Sequence, residues 1–328
     1  MSSLDGFKID KLLSVVVIGL NEEQQLNDSL RSVIESEIAD NYELEVIYVD
    51  SGSSDRSVEI AKDVSGVKVL HLNDADPSAA KARNLGISQA RGKYIQLLDG
   101  DSILRPGWLT RAVRYLDHNP EVSCVFGHCV EMYPEKSLYM RLCGLDWHVK
   151  PGEYRLCGGN AMWRRCVFEE VGFFDGALRL GEEPDLCYRV RHSGGHIHCI
   201  DTDMVKHDLA MNSFGQYWRR AENSGKAYVR VALRYWRKNE KLWLYESVRN
   251  FVEPMLWIAI FLLGTLFMSP WIGCTALLVW WFIRGIRTAI KTRSRTASWG
   301  HAFLYGLHSQ FIRLPIVVGQ LKSLVSSR

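Results

Sequence analysis

The sequence KYIQLLDGDS, residues 93–102, places two carboxylates directly after an apolar run. The run is typical of a buried β-strand, and Asp99, Gly100 and Asp101 follow at the point where that strand would end. Two carboxylates one residue apart repel each other unless a cation lies beside them. Mg²⁺ or Mn²⁺ would relieve that repulsion, and such ions usually share their ligands with the phosphates of a substrate. The stretch therefore predicts a metal site at the carboxyl end of a strand.

The residues before this stretch alternate between strand-like and helix-like patterns. Apolar or β-branched runs occupy residues 13–20, 44–50, 67–72 and 93–99, and helical patterns lie near residues 22–37, 55–65 and 78–90. This alternation predicts an α/β fold with a mainly parallel sheet and helices on both faces. Ligands bind such sheets beyond the carboxyl ends of the strands. The sequence contains neither G-x-G-x-x-G nor G-K-[ST], which disfavours dinucleotide and P-loop sites.

Polar residues follow the first two runs as well. Asn21 and Glu22 come after the first run, and Asp50 and Ser53 come after the second. Each of them alone could cap a helix or form a turn. Because the carboxyl ends of parallel strands share one edge of a sheet, we expect these side chains to form a single site with the two aspartates.

Composition and charge narrow the class of protein. The chain has 328 residues, of which 47% are hydrophobic and 23% charged, as in a globular protein. Its eight cysteines form no C-x-x-C pair, which favours a reduced compartment over a disulfide framework or a zinc site. Asp5 and Asp10 precede the first apolar run, so the start does not resemble a secretory signal. The first 205 residues are acidic and residues 284–328 are basic, which suggests either nucleic acid or an anionic membrane surface.

An apolar run near the C-terminus favours the membrane. Residues 251–283 contain one charge, Glu253, and exceed the roughly 20 residues that one crossing needs. Ser269-Pro270 falls mid-run where a turn could form, and basic residues flank both ends, so we expect a hairpin of two short helices with both ends in the cytosol. A single tilted helix is the alternative. We expect residues 284–328 to be an interfacial amphipathic segment.

Five ordered motifs between residues 12 and 230 resemble those of the family 2 glycosyltransferases of GT-A fold. The motifs are SVVVIGLNEE (14–23), VDSGSSDRSVEIA (49–61), AAKARNLGISQARGKYIQLLDGDS (79–102), CGGNAMWRRCVFEEVGFFD (157–175) and GEEPDLCYRVRHSGG (181–195). The resemblance implies an inverting transfer of a sugar from a nucleotide-diphosphate sugar, with Mg²⁺ or Mn²⁺ as cofactor.

The resemblance also assigns donor-side roles. It implies that Asp50 meets the nucleotide base near Asn21 and Glu22, and that Ser53 orders the same loop. Arg83 resembles a phosphate-side contact that Lys81 assists. Asp99 and Asp101 resemble the D-x-D pair, with Asp101 as the more direct metal ligand. His207 resembles a further metal or phosphate contact, and a satisfied surface histidine is the alternative reading of this residue.

On the acceptor side, Gly158, Gly159 and Asn160 resemble the turn beneath the sugar. Relatives commonly carry Glu-Asp where this chain has Glu182 and Glu183, and their second acid is the general base. Glu183 keeps the carboxylate but is one methylene longer. Gln216 and Arg219 resemble, loosely, the Q-x-x-R-W segment of membrane-bound polysaccharide synthases. An amphipathic helix lying on the membrane is the alternative for that segment.

These features predict four regions: a GT-A catalytic domain over residues 1–230, a basic amphipathic linker over 231–250, a transmembrane hairpin over 251–283 and a membrane-associated tail over 284–328. One hairpin is too little membrane for a translocation pore. We therefore expect a non-processive enzyme at the cytoplasmic face of the inner membrane, acting on a lipid-linked or glycan acceptor in exopolysaccharide or cell-surface glycan synthesis, with no nucleic-acid partner. A polyprenyl-phosphate glycosyltransferase and a catalytically degenerate membrane scaffold are the alternatives. A sugar-1-phosphate nucleotidyltransferase is disfavoured, because its glycine-rich N-terminal loop is missing from VIGLNEEQQ.

Overall fold

A computed structural model describes residues 11–39, 41–147, 149–238 and 240–326. The chain divides into two compact units. The sheet unit runs to Met132 and resumes over Trp147–Leu209, and the helical unit comprises Tyr133–Asp146 and the residues from Ala210 onward. The boundary predicted at residue 230 falls inside a helix of the helical unit, Phe214–Tyr235.

The sheet unit contains a nine-stranded sheet. Its strands are β1 (Leu12–Gly19), β2 (Glu43–Asp50), β3 (Val67–His71), β4 (Tyr94–Asp99), β5 (Ser102–Leu104), β6 (Val122–Glu131), β7 (Gly152–Glu153), β8 (Ala161–Arg164) and β9 (His196–His207). The helices of the sheet unit are α1 (Leu26–Ile34), α2 (Ser57–Asp63), α3 (Ala79–Gln89), α4 (Trp108–His118), α6 (Arg165–Val171) and α7 (Glu182–His192). The helices of the helical unit are α5 (Leu138–Gly144), α8 (Phe214–Tyr235), α9 (Leu244–Phe267), α10 (Pro270–Thr292), α11 (Trp299–Phe311) and α12 (Arg313–Ser326).

The strand order is β3-β2-β1-β4-β8-β6-β9-β5, and β7 pairs with β9. The four strands predicted from the alternating pattern, β1 to β4, pair in parallel as expected. The rest of the sheet is mixed, since β8 is antiparallel to β4 and β6, and β9 is parallel to β6 but antiparallel to β5 and β7. The predicted α/β fold is therefore confirmed, with the parallel pairs concentrated in β1 to β4 and mixed pairing in the rest of the sheet. Strands β5, β7 and β8 have three, two and four residues, which is too short for a periodic pattern to reveal.

Strand β1 pairs with β2 on one side and with β4 on the other, so the ends of these three strands lie together. Strand β1 is buried at nearly every position, so side chains on both of its faces are covered, as expected for a sheet between helices. Its register pairs Gly19 with Asp50 of β2, and Ile18 with Asp99 of β4. The acidic residues of two strands therefore flank the end of β1.

The apolar run near the C-terminus forms two helices separated by a turn, and the predicted membrane hairpin and its single-span alternative stay predictions. The break lies at Ser269, whose Oγ accepts the Ile272 N–H at 3.4 Å, and Pro270 begins α10. The two helices have 24 and 23 residues, and together they extend beyond the predicted bounds of 251–283 at both ends. They also pack closely, because a Cβ on Gly264 would lie 2.7 Å from the Gly273 Cα.

Among the described residues, α9 is the one helix long and apolar enough to cross a membrane. A stretch of 18 residues in this helix has a mean hydropathy of 1.7, and 17% of that stretch is buried. Large apolar side chains project outward near the turn of the hairpin. Leu266, Phe267 and Trp271 are 75%, 80% and 82% exposed.

The segments on either side of the hairpin are ordered helices. Residues 231–235 of the predicted linker belong to α8, and residues 244–250 belong to α9. In the predicted tail, α10 continues to Thr292, and α11 and α12 follow. Helix α12 lies against α8, since a Cβ on Gly319 would come 1.9 Å from the Glu222 carbonyl oxygen. The tail is therefore part of the helix bundle, because small residues allow its backbone to approach α8 closely.

Candidate functional site

Two loops at the edge of the sheet are joined by side-chain hydrogen bonds. Asn21 adopts a left-handed conformation with φ of 61°, and its Oδ1 accepts the Ser54 N–H at 2.8 Å. Ser53 Oγ accepts the Asn21 N–H, and Ser57 Oγ accepts the Glu22 N–H, both at 2.8 Å. Asn21 and Ser53, predicted to contact the donor, therefore also hold the loops after β1 and β2 together.

Asp50 is buried at the base of the second loop. Its Oδ2 accepts the backbone N–H groups of Gly52 and Ser53 at 3.0 and 3.1 Å. Its Oδ1 receives a long hydrogen bond of 3.4 Å from the Tyr48 hydroxyl. Asp50 thus shapes the loop through one oxygen, and its contact with a nucleotide base stays a prediction.

A pocket of about 350 Å³ opens at this edge. It is lined by residues from the ends of β1, β2 and β4 and from the start of α3: Ile18, Gly19, Leu20, Glu22, Ser51, Pro77, Ser78, Ala79, Asp99, Gly100 and Asp101. Ser78 caps α3, accepting the Lys81 N–H at 3.3 Å. The N-terminus of a helix favours anions, so the start of α3 is suited to a phosphate. Sequence reasoning missed this contribution, although a serine directly before a helical pattern is a capping signal.

Three predicted metal ligands meet beside this pocket. Asp99, Asp101 and His207 each offer a ligand atom, and these atoms lie within 4.8 Å of one another. His207 ends β9, opposite Ser102 of β5, and its Nε2 lies 3.3 Å from Asp101 Oδ1. Its side chain is 16% exposed and packs edge-on against Trp147, at 5.1 Å between ring centroids. His207 is therefore mostly buried, and its role as a metal or phosphate contact stays a prediction.

The chemistry of this cluster fits a divalent ion. Within the described part of the chain, the buried atom His207 Nδ1 has no hydrogen-bond partner, and the 3.3 Å approach of His207 Nε2 to Asp101 Oδ1 lacks the geometry of a hydrogen bond. Burial raises the pKa of Asp101, His207 opposes that shift, and Asp99 adds to it. Burial together with Asp101, Asp99 and Asp55 raises the pKa of Glu22 to about 7. This crowding of negative charge, with oxygen ligands unsatisfied, is the environment in which Mg²⁺ or Mn²⁺ binds.

Arg83 links the metal cluster to the predicted catalytic acids. The side chain is 4% exposed, and its guanidinium donates to Asp99 Oδ1 at 3.0 Å, Glu183 Oε1 at 3.1 Å and Glu182 Oε1 at 3.2 Å. Burial disfavours the Arg83 cation, but the three carboxylates outweigh burial and raise its pKa. The guanidinium also lies over the Phe174 ring at 5.6 Å. These contacts join Arg83 to three carboxylates, and its predicted contact with phosphate stays a prediction.

The predicted acceptor-side turn lies against the same network. Asn160 Oδ1 accepts the Asp99 N–H at 2.8 Å, and Asn160 Nδ2 donates to Ser102 Oγ at 3.2 Å. A Cβ on Gly159 would come 2.1 Å from Arg83 Nη2, so only glycine leaves room for the guanidinium there. At Gly158, nothing described lies within 4 Å of an added Cβ.

Glu182 and Glu183 begin α7, directly after Gly181 with φ of 92°. Glu182 is buried, and burial and Glu183 raise its pKa to about 7 against the opposing effect of Arg83. The Glu183 side chain is 22% exposed and is the more accessible of the two. Asp185 is held by Arg189 at 3.0 Å, so it supports the helix. Two carboxylates are thus available as a proton acceptor, one of them with a pKa suited to neutral pH.

The remaining predicted residues make other contacts. Lys81 Nζ donates to Asp74 Oδ2 at 2.8 Å and to the Asp76 carbonyl at 2.9 Å. In the helical unit, Gln216 forms a capping box with Ser213, and Arg219 Nε donates to the Gly215 carbonyl at 3.3 Å. The acceptor-side roles of Gln216 and Arg219 stay predictions.

Similarity to known proteins agrees with this architecture. Residues 14–172 match the model of glycosyl transferase family 2. The chain is 32% identical over 259 residues to the glycosyltransferase AglE of Haloferax volcanii, covering 76% of this chain and 80% of that relative. It is 29% identical over 178 residues to the glucosyl-dolichyl phosphate glucuronosyltransferase of the same organism, covering 50% of this chain and 56% of that one. The mannosyltransferase PcManGT from Pyrobaculum calidifontis, solved with GDP-Man and Mn²⁺, matches with a TM-score of 0.63 at 15% identity, covering 96% of this chain and 88% of that chain.

The protein belongs to glycosyltransferase family 2 and has the GT-A fold that the sequence motifs implied. The extent of similarity varies among its relatives. The chain spans 56% of the length of the glucuronosyltransferase, and 40% and 31% of the length of two further curated relatives.

Proposed function

We propose that the protein is a metal-dependent, inverting glycosyltransferase that moves a sugar from a nucleotide-diphosphate sugar to a lipid-linked saccharide at the cytoplasmic face of the inner membrane. The observation that carries the proposal is the buried Arg83 network. One guanidinium holds Asp99 of the metal cluster and the two acids at the start of α7 in a fixed arrangement. A metal-dependent inverting transfer needs a donor-side cation site and a base on the acceptor side, and this network supports both.

On the donor side, Asp99, Asp101 and His207 would hold Mg²⁺ or Mn²⁺. When bound, the ion neutralises the charge that develops on the leaving diphosphate. The start of α3 adds backbone N–H groups that favour the same anion. The mannosyltransferase of similar fold was solved with GDP-Man and Mn²⁺, which supports a nucleotide-sugar donor and a divalent ion here.

On the acceptor side, Glu183 would take the proton from the attacking hydroxyl. Its carboxylate is partly exposed while Arg83 holds one of its oxygens at 3.1 Å, so it is oriented without being sealed from a substrate. Glu182 is more buried, and its pKa near 7 makes it the second candidate for the same step. In this proposal Arg83 is a positioning residue, because it acts through the carboxylates that it holds.

The helical unit supports a lipid-linked acceptor. Helix α9 has the length and composition of a membrane span, and exposed apolar side chains surround the turn of the hairpin. The bundle packs through glycines, as helices in a membrane commonly do. A relative with 29% identity is named a glucosyl-dolichyl phosphate glucuronosyltransferase, which supports an acceptor attached to a lipid phosphate.

The test uses purified full-length protein in detergent with a panel of nucleotide-diphosphate sugars and Mn²⁺ or Mg²⁺. We expect nucleoside diphosphate release that increases when a membrane lipid extract is added and that stops in EDTA. The anomeric configuration of the product, read by NMR, tests inversion. Full activity in EDTA would overturn metal dependence, and a product with retained configuration would overturn inversion.

The same assay separates the alternatives. Transfer to a bare polyprenyl phosphate, with none to a lipid-linked saccharide, would identify a polyprenyl-phosphate glycosyltransferase. Binding of a nucleotide sugar with no turnover on any acceptor would favour the scaffold.

A further inference from the structure

A second group of metal-ligand side chains lies at the opposite end of β9 from His207. Glu153, His196 and His198 each offer a ligand atom, and these atoms lie within 4.8 Å of one another. His198 stands opposite Val125 of β6 and His207 opposite Glu131, six residues further along that strand, so the two clusters are about 20 Å apart along the sheet. The two groups of ligands are therefore distinct sites.

The strand register brings the three side chains to one face. Glu153 of β7 stands directly opposite His198 of β9 in an antiparallel pair. His196 precedes His198 by two residues, and residues two apart on a strand point to the same face. His196 Nδ1 lies 2.8 Å from Glu153 Oε1, and the two imidazole rings are 6.2 Å apart between centroids. The arrangement follows from backbone pairing, which fixes it more firmly than a chance meeting of surface side chains.

A further contact orients one imidazole. Tyr115 of α4 lies beside His198, with its hydroxyl 2.8 Å from His198 Nδ1 and its ring edge-on to the imidazole. With Nδ1 engaged by the hydroxyl, Nε2 is the nitrogen left to bind an ion. Metal-bound histidines are usually oriented in this way by a hydrogen bond to the other ring nitrogen.

We propose that Glu153, His196 and His198 form a second metal site, which binds Zn²⁺ or a similar transition-metal ion and leaves a coordination position open to water. Two imidazoles and one carboxylate are the ligands that zinc prefers, whereas Mg²⁺ and Ca²⁺ prefer oxygen alone. The side chains of Glu153 and His196 are 59% and 43% exposed, so an ion can enter from solvent. Ligand atoms around tetrahedral zinc lie about 3.3 Å apart, so small side-chain rotations close the site.

The ion would join β7 to β9. Strand β7 has two residues and pairs with β9 at Gly152 and Glu153. The same stretch of chain begins with Trp147, which packs on His207, and continues to the turn at Gly159 that faces Arg83. Zinc at Glu153 would therefore stabilise the segment between these two contacts without touching the catalytic cluster.

The test is equilibrium dialysis of full-length protein, with any affinity tag removed, against ZnCl₂ in excess Mg²⁺, followed by metal analysis. An Asp101→Asn/His207→Gln background removes the other cluster. We expect one zinc ion per chain in that background, and at least a tenfold loss of affinity in His196→Ala and in Glu153→Gln. CoCl₂ in place of ZnCl₂ should give the visible absorption of a tetrahedral cobalt site.

Two further variants separate a built site from adventitious binding. Tyr115→Phe should weaken zinc affinity by about tenfold, since it removes an orienting partner outside the ligand set. His118→Ala is the matched control, because His118 is exposed at the end of the helix that carries Tyr115 and its Nδ1 is hydrogen-bonded to the Arg114 carbonyl of the same helix. Zinc binding that survives His196→Ala, or that is lost equally in His118→Ala, would overturn the proposal. So would the absence of zinc from the double-variant background when circular dichroism shows that it is folded.

Discussion

The sheet unit buries charge, whereas the helical unit exposes apolar surface. Asp50, Arg83 and Glu182 of the sheet unit are all less than 7% exposed. In the helical unit, Leu266 and Trp271 are more than 70% exposed. In a soluble domain, most charged side chains are exposed and most large apolar side chains are buried. The contrast agrees with the membrane placement proposed for the helical unit.

The buried charges and the exposed apolar surface have different physical explanations. A buried charge is tolerated when partners compensate it, and Arg83 has three carboxylates within 3.2 Å. An exposed apolar helix is costly in water but not in lipid, where close packing at small residues holds helices together.

The largest expected effect is loss of the metal cluster. Asp101→Asn removes one charge from a side chain that is 28% exposed and lies 3.3 Å from His207 Nε2. We expect turnover to fall to background, by at least about 10³-fold, because the charge on the leaving diphosphate is no longer balanced. The melting temperature should change little, which shows that the loss is not unfolding. Nucleoside diphosphate release in Mn²⁺ measures the effect, and near-normal turnover would remove Asp101 from the site.

The next effect concerns the base. Glu183→Gln should lower turnover by about 10²–10⁴-fold while binding of the donor survives, since a general base contributes in that range. Glu183→Asp restores the residue that relatives use and tests whether the pocket has adapted to the longer side chain. Donor affinity measured by calorimetry is the control. Should Glu182→Gln lose turnover while Glu183→Gln keeps it, the base is Glu182.

A lysine on each unit tests their surroundings directly. Ile258 of α9 is 58% exposed, and Val130 of β6 is 40% exposed. In lipid, Ile258→Lys should cost about 3 kcal/mol, and the amount of protein recovered from membranes should drop. In water, an exposed Val130→Lys should change stability by no more than about 0.5 kcal/mol. Equal recovery of both variants from membranes would contradict placement of α9 in a bilayer.

Gly159→Ala tests the closeness of the turn to Arg83. The new Cβ would displace the guanidinium, and a shift of this size should lower turnover by about 10- to 100-fold. Gly158→Ala should cause a much smaller loss, because an added Cβ has open space there. Steady-state rates of the two variants check the prediction, and similar losses in both would exclude a specific clash at Gly159.

The smallest effect is the pH dependence of stability that Glu182 introduces. Burial raises its folded pKa from 4.5 to about 7, so the folded state holds a proton that the unfolded state has released. The stabilisation is complete below pH 4.5 and is lost as pH rises through 7. Glu182→Gln should therefore raise the free energy of unfolding at pH 8 by about 1–2 kcal/mol, with little difference at pH 4.5.

Thermal melts of the sheet unit's transition at both pH values measure the Glu182 effect. Glu59→Gln is the control, because this glutamate is 71% exposed on α2 and its replacement should shift neither melt. A Glu182→Gln variant that is less stable than the parent at pH 8 would show that its pairing with Arg83 outweighs its burial.

The sequence by itself determined the first half of the sheet and the positions where chemistry could lie. Strand–helix alternation and the acidic ends of β2 and β4 are local patterns, and a parallel sheet necessarily brings those ends to one edge. The motifs identified the family for the same reason, since each occupies one continuous stretch. The apolar run with Ser269 at its centre likewise predicted two helices.

The tertiary structure decided which side chains meet. Arg83 and Glu182 are 99 residues apart, and no local pattern shows that one guanidinium would meet three carboxylates. Glu153 lies 43 residues from His196, and only the pairing of a two-residue strand brings them together. Short strands carry no period, and burial that shifts the pKa of Glu182 depends on every element packed around it. Local sequence patterns therefore predict the helices and strands. The distances, pKa shifts and ligand sets on which the chemistry depends arise from contacts between elements that are distant in the sequence.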